Sequence, residues 1–339
     1  MQYGVSYVDA KQIAMDVFNE NFAKLSQNAH RVAIERAEEF TLNFLSELND
    51  REPEAIKNIE DPGVQSDILE AQSGFAKSGD RDLGEILVDI LVDRSARQDR
   101  NTASLALSAA LSTAQKLTGA HFAALSSLFV FKQLRLIGAG RPEQLYGHIS
   151  NYLGPMRDDF LDLSRSDVEY LAALGCITIS MGEISIHQVL QQTYPGLFCE
   201  GVDVDSAPGR PSGAPEDGPE SVIRMLKETL AVTRSLRDPT KLQVAAVDQE
   251  SLHRLLDENG MLEHEERLNR ALTARPMNGD AIIDELRAHD PRIGEIVDAY
   301  NAKSLPNCSN TAIGTAIGHA NLRKATSGQF SSALDVWFS

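Results

Sequence analysis

A segment rich in proline and glycine, residues 203–220, interrupts this chain of 339 residues. Beyond its prolines and glycines it holds only polar, charged or small residues, and none of its apolar side chains is larger than valine. Such a segment cannot bury a core and fixes no regular backbone. We therefore predict a flexible, exposed insertion at 203–220, which a protease would cut first.

Residues 7–155 follow helical periodicity, and helical and strand patterns alternate from residue 166 onward. This change predicts a mostly α protein with a small mixed β-sheet in its C-terminal half, an α+β arrangement. The predicted domains are 1–165, a helical domain with a long N-terminal helix, and 166–339, an α+β domain that contains the insertion.

Three stretches of the second half predict strands. Residues 176–187 alternate with period two on both sides of Met181 and Gly182, which is typical of a hairpin. Residues 241–247 form an apolar run just before a helical pattern. The stretch 332–339 predicts a closing strand.

The overall charge bears on the partners of the chain. Its formal net charge is −17, and a duplex nucleic acid is bound by neutralising its phosphates with Lys and Arg, so nucleic acid is disfavoured as a partner. Cys176, Cys199 and Cys308 lack CxxC spacing, which indicates a reducing compartment. No apolar run reaches the length of a membrane span, and no signal peptide pattern is present. We expect a cytoplasmic protein without a membrane partner.

The first helical pattern is unusually long, since residues 8–48 contain neither proline nor glycine. Phe18, Phe22, Phe40 and Phe44 lie on one face, and 40 residues of helix would span about 60 Å. Either the helix projects and pairs with a second copy, or it breaks near residues 26–28 and folds back. We predict the first alternative, self-association through these phenylalanines.

A second interface candidate is the small-residue pattern at Gly314 and Gly318. Glycines spaced by four residues let a helix approach another backbone closely. The pattern fits tight packing within one chain as well as a subunit interface. His319, beside Gly318, is either a base or ligand or a hydrogen-bonded structural histidine.

Four acidic residues share one helix face, which we name the acidic face: Asp82, Glu85, Asp89 and Asp93. Clustered carboxylates can bind a hard cation such as Mg²⁺, and a solvated acidic surface has the same pattern. A metal site usually takes ligands from a second element, and the sequence identifies none. We therefore predict no tight metal site, no cofactor and no catalytic residue, and the known catalytic motifs are absent.

Five segments carry a resemblance to a known family. They are TYPGLF at 193–198, KLQVAAVDQESLHRLL at 241–256, NTAIGTAIGHANLRK at 310–324, AMDVFNENFAKLSQNA at 14–29 and SGDRDLGEILVDILVDRS at 78–95. Over nearly its whole length the chain resembles a bacterial family of conserved hypothetical, mostly helical proteins, which implies no activity. The helix around Gly314 is more weakly similar to helical proteins of abortive-infection systems.

These observations favour a non-enzymatic, self-associating bacterial protein of antiviral defence or stress response. Its expected partners are a second copy of itself and a genetically linked effector protein. Two alternatives stay open: a metal-dependent hydrolase that uses the acidic face, and a nucleic-acid-binding protein with a winged-helix-like C-terminal part.

Overall fold

The fold was obtained as a computed structural model that describes residues 6–22, 27–203 and 218–338. The core of the predicted insertion, 204–217, lies outside the described residues. The prediction of a mostly α fold with a small β component is confirmed. The α-helices of the described residues are, in chain order, α1 Tyr7–Phe22, α2 Gln27–Arg51, α3 Pro62–Ser78, α4 Arg81–Ser95, α5 Thr102–Ala114, α6 Gly119–Lys132, α7 Pro142–Leu153, α8 Arg157–Asp162, α9 Arg165–Ala173, α10 Ile186–Thr193, α11 Pro219–Met225, α12 Gln249–Glu258, α13 Glu265–Thr273, α14 Gly279–His289, α15 Pro291–Ala302 and α16 Ala312–Ala325.

The strands in residues 6–22, 27–203 and 218–338 are short and form two separate antiparallel sheets. They are β1 Ile177–Ile179, β2 Val202–Asp203, β3 Val232–Arg234, β4 Lys241–Val244 and β5 Cys308–Asn310. One sheet pairs β1 with β5, with Ile177 opposite Asn310 and Ile179 opposite Cys308. The other has the order β2-β4-β3.

The contacts within the chain define two compact units, and each is built from separated stretches. The first unit comprises Met1–Gln133, Pro155–Met181 and Lys303–Ser339, and the second comprises Leu134–Gly154 and Gly182–Ala302. These units do not coincide with the predicted domains 1–165 and 166–339. The reason is that β5 and α16 return to the helices of the N-terminal half.

Two helices that are buried on all sides form the centre of the first unit. Every residue of α6 from His121 to Phe131 is buried, and so is every residue of α16 from Gly314 to Leu322. A helix that is apolar or small all round belongs in a core rather than at a surface. Ser126 on α6 donates a hydrogen bond to the carbonyl of Gly318 on α16 over 3.0 Å, which joins the two helices.

The predicted single N-terminal helix is two helices, α1 and α2, that fold back on each other. The Lys11 Nζ atom lies 2.8 Å from the Glu38 carboxylate, whereas 27 residues of continuous helix would separate them by about 40 Å. Phe18 belongs to one apolar cluster with Ala33, Ala37 and Ala76. Because α1 ends at Phe22 and α2 begins at Gln27, the alternative in which the helix breaks and folds back is correct, and the projecting helix is wrong.

In the second unit, the three-stranded sheet and helices α11 to α13 share one apolar cluster, which includes Val222, Leu242, Leu252 and Leu268. The strand predicted at 241–247 is confirmed as β4, and Asp248 caps the helix α12 that follows it.

Two other strand predictions are wrong. β1 pairs with β5 instead of residues 183–187, because Ser185 forms a capping box with Gln188 and starts α10. The predicted closing strand is a 3-10 helix, Leu334–Trp337. Among the described residues, no helix has the length and apolar character needed to cross a membrane.

Candidate functional site

A cleft of about 900 Å³ opens in the first unit, where α2, α4 and the end of α16 meet. Its apolar surface comes from Phe40, Phe75, Val88 and Ala320. Its remaining lining is polar or charged: Glu39, Asn43, Ser46, Glu47, Arg51, Arg81, Glu85, Asp89, Arg323, Lys324 and Ser327, together with Gly84 and Gly328. Concave sites with an apolar surface and a few convergent polar groups are typical of ligand binding.

The helical repeat explains how these side chains reach the cleft. On α2, residues 43, 46 and 47 lie one or two turns after residue 39, and on α4 residues 84, 85, 88 and 89 lie one or two turns after residue 81, so each set shares one helix face. Gly84 makes room for an aromatic ring, because a Cβ atom there would lie 2.8 Å from the ring of Phe75. The Phe75 ring in turn packs against Phe40, with ring centroids 6.0 Å apart.

At the inner end of the cleft, Arg51 joins two carboxylates. Its Nη1 lies 2.6 Å from Asp89 Oδ1, and its Nη2 lies 2.7 Å from Asp93 Oδ1. Arg323 Nε lies 3.4 Å from the same Asp89 oxygen. A buried charge that lost its partner would be strongly destabilising, so these ion pairs define the local structure.

The acidic face is thus divided by burial. Asp82 is largely exposed and pairs with Lys324 over 3.0 Å, and Glu85 is exposed at the cleft. Asp89 retains only 7 % of its accessible surface, and the Asp93 side chain only 15 %. The structure therefore brings Asp89 and Asp93 together with residues of other helices, and leaves Asp82 and Glu85 at the surface.

The imidazole of His319 faces these carboxylates from α16. Its Nε2 atom lies 2.8 Å from the carbonyl oxygen of Ser332, which can only accept a hydrogen bond, so Nε2 carries a proton. Its Nδ1 atom lies 4.0 Å from Asp89 Oδ2. The rings of Phe129, Phe330 and Trp337 surround the imidazole, with centroids 5.2 to 5.8 Å away.

Burial moves the pKa values of both groups away from their ordinary range. It lowers the pKa of His319 to about 4, so the ring is neutral at pH 7 and its Nδ1 atom holds a lone pair. Burial and the neighbouring charge of Asp93 raise the pKa of Asp89, against the opposing effect of Arg51 and Arg323. Strongly shifted groups that lie at a cleft are typical of functional sites.

Asp89, Asp93 and His319 form a group that can hold a metal ion, and we name it the carboxylate–histidine cluster. One ligand atom from each residue lies within 4.8 Å of the others. Within the part of the chain that the structure describes, the buried Asp89 Oδ2 and His319 Nδ1 atoms have no hydrogen-bond partner. The second element that the sequence did not identify for the acidic face is therefore α16.

The predicted interface residues lie inside the chain. Phe18, Phe40 and Phe44 are at most 1 % exposed in the core of the first unit. The side chain of Phe22 lies outside the described residues. A Cβ atom at Gly314 would lie 2.0 Å from the carbonyl oxygen of Cys176, and one at Gly318 would lie 2.7 Å from that of Leu125. The small-residue pattern thus serves packing within the chain.

Sequence reasoning missed the central residue of the site, Arg51. It lies at the end of α2, 38 residues before Asp89, and nothing in its neighbours marks it. His319 was identified as a possible ligand, but its distance from Asp89 along the chain hid their contact. The sequence thus indicated the acidic face and His319 separately, but not that they meet.

A family model that describes no activity matches residues 4–338, nearly the whole chain. No curated protein and no solved structure matches the chain. The match includes every residue of the cleft and of the carboxylate–histidine cluster. The chain belongs to this uncharacterised family.

Proposed function

We propose that the first unit binds a small molecule with both a positive and a negative group, and that the protein acts by binding rather than by catalysis. The observation that carries this proposal is the balance of charge around an apolar surface in the cleft. Four acidic and four basic residues line it: Glu39, Glu47, Glu85 and Asp89, and Arg51, Arg81, Arg323 and Lys324.

Several of these charged groups are available to a ligand. Arg51 and Lys324 are already held by Asp89, Asp93 and Asp82. In the described part of the chain, Arg81, Glu39, Glu47 and Glu85 form no ion pair, although all four line the cleft. A zwitterionic ligand would meet both signs of charge, and its apolar part would contact Val88 and Ala320.

The size of the cleft supports a ligand of ordinary metabolite size. Sites for small molecules usually enclose about 300 to 1,000 Å³, and the cleft falls within this range. The apolar lining contributes affinity in proportion to buried area, and the charged groups contribute orientation and selectivity.

Thermal unfolding in the presence of defined probes tests the proposal. Amino acids and short peptides are the zwitterionic set, nucleotides the anionic set and sugars the neutral set. A ligand present at a hundredfold excess over its Kd stabilises the folded state by about 2.7 kcal/mol. The proposal expects a higher Tm with members of the zwitterionic set only.

A matched pair of variants links the effect to the cleft. Asn43 lines the cleft, so Asn43→Trp should fill it and abolish the ligand-induced rise in Tm. Leu42, the preceding residue of α2, is 40 % exposed and does not line the cleft, so Leu42→Trp should retain the rise. Equal responses of the two variants would count against a ligand site in the cleft.

A metal-dependent hydrolase is the second candidate function, and the carboxylate–histidine cluster favours it. Three protein ligands beside an open cleft resemble the arrangement of catalytic metal sites, which keep one position for water or substrate. Hydrolysis of a chromogenic phosphodiester or ester, with and without added metal, separates this candidate from a protein that only binds.

The cellular role and its setting remain proposals that rest on the resemblance and on composition. A binding protein that passes a signal to a genetically linked effector suits a role in antiviral defence or stress response. The free thiols of Cys176, Cys199 and Cys308 fit a reducing, cytoplasmic compartment. The first two helices no longer support self-association, because Phe18, Phe40 and Phe44 are buried within the chain.

A further inference from the structure

We propose that Asp89, Asp93 and His319 bind a divalent transition-metal ion of the Mn²⁺ to Zn²⁺ series. Carboxylate oxygens and an imidazole nitrogen together suit this class of ion better than Mg²⁺ or Ca²⁺, which prefer oxygen ligands alone. The ligands come from two helices, α4 and α16, that are packed within the same unit.

Two buried acceptor atoms of the cluster lie opposite each other. Asp89 Oδ2 and His319 Nδ1 are 4.0 Å apart, and neither has a hydrogen-bond partner among the described residues. His319 is 1 % exposed and Asp89 is 7 % exposed. Buried acceptors that stay unsatisfied destabilise the folded state, so a cation or a water molecule is expected between them.

Neighbouring groups orient the three ligands of the cluster. Arg51 donates hydrogen bonds to the Oδ1 atoms of Asp89 and Asp93, and so holds the two carboxylates side by side. The Ser332 carbonyl takes the Nε2–H of His319, which directs the lone pair of Nδ1 toward Asp89. Metal-binding histidines usually donate their other N–H group to a carbonyl or carboxylate in this manner.

The geometry requires a small adjustment of the side chains. Tetrahedral ligands at about 2.1 Å from an ion lie about 3.4 Å from one another. The three ligand atoms lie within 4.8 Å, so modest rotation of the two carboxylates would bring them into place. The positive charges of Arg51 and Arg323 oppose the ion, and for this reason we expect micromolar rather than nanomolar affinity.

Cobalt binding tests the proposal directly. Tag-free protein, stripped with a chelator, would be titrated with Co²⁺ while visible absorption is recorded, and then with Zn²⁺ in competition. We expect one equivalent of Co²⁺ with d–d bands, displaced by Zn²⁺. Asp93→Asn and His319→Gln should each weaken binding by about tenfold or more, since each removes a ligand.

Glu85→Gln is the matched control, because Glu85 lies on α4 and lines the cleft but does not belong to the cluster. It should leave metal affinity unchanged. Circular dichroism checks that each variant is folded. If His319→Gln does not fold, the metal affinity of Asp93→Asn and the cobalt spectrum of the wild type test the proposal. No binding by the wild type would overturn the proposal and assign the space between the acceptors to water. Binding that neither variant weakens would overturn it as well.

The metal site and the proposed ligand site can fail separately. Asn43→Trp should block the small molecule and leave metal binding unchanged, because Asn43 lies outside the cluster. Asp93→Asn should weaken metal binding and leave the shape of the cleft unchanged, since Asp93 does not line it.

Discussion

Gly318 lies directly against the backbone of Leu125, where a Cβ atom would be only 2.7 Å from the carbonyl oxygen. The contact brings α16 close enough to α6 for Ser126 to donate to the Gly318 carbonyl, and it fixes the position of the adjacent His319. Because Gly318 has no side chain, α16 can pack close to α6, and this packing places His319 in the candidate site.

We predict that Gly318→Ala destabilises the protein by about 1–3 kcal/mol, because the new methyl group forces two buried helices apart. Gly147 in α7 is the matched control, since its nearest neighbour to a new Cβ atom is 3.9 Å away. Gly147→Ala should be neutral or stabilising by up to about 1 kcal/mol, as expected for alanine in a helix. Urea unfolding of both variants measures the difference, and equal effects would contradict the packing argument.

We predict that Arg51→Met costs about 3–5 kcal/mol, because it leaves two carboxylates without their main counter-charge. Asp89→Asn in the same chain should restore part of the loss by removing one of those charges. The exposed pair Arg31 and Glu35, with side chains 62 % and 61 % exposed, provides the control. Arg31→Met should change the free energy of unfolding by less than about 0.5 kcal/mol.

The lowered pKa of His319 predicts a pH dependence of stability. The folded state resists protonation until about pH 4, and the unfolded ring binds its proton near pH 6.5. Stability from this group is therefore complete above pH 6.5 and is lost as the pH falls toward 4, by roughly 3 kcal/mol in total. His319→Gln should flatten this part of the stability profile. A profile with the same slope in both proteins would show that the imidazole does not titrate in this way.

We predict that Phe44→Glu destabilises the monomer rather than dissociating a dimer. Phe44 is 1 % exposed, so the substitution would place a charge in the core. Leu42→Glu, at a residue of α2 that is 40 % exposed, should have little effect. Light scattering and thermal unfolding would be measured on the same samples. If Phe44→Glu converted a dimer into a monomer without changing Tm, the result would instead support a subunit interface at Phe44.

Local patterns in the sequence were sufficient for most of the helices and for β4, since these depend on residues a few positions apart. They did not predict the end of α1 at Phe22 or the start of α10 at Ile186. They were not sufficient for β1, which pairs with residues more than a hundred positions later. The hairpin predicted near Met181 is wrong because Ser185 and Gln188 form the N-terminal cap of a helix. The residues around this cap alternate between polar and apolar, as they would in a strand. The acidic face was visible as a helical repeat, but its division into exposed and buried halves depends on α16.

Ser126 on α6 and Gly318 on α16 are 192 residues apart in the chain. During synthesis, α6 is therefore made well before the helix that packs against it. Ribosomes add about 5–20 residues per second, so the partner of α6 emerges about 10–40 s after α6 itself. During this interval the apolar surface of α6 that α16 later covers must be shielded by transient contacts or by a chaperone. The production of this protein in the cell should therefore depend on chaperone supply more than its folded stability alone would suggest.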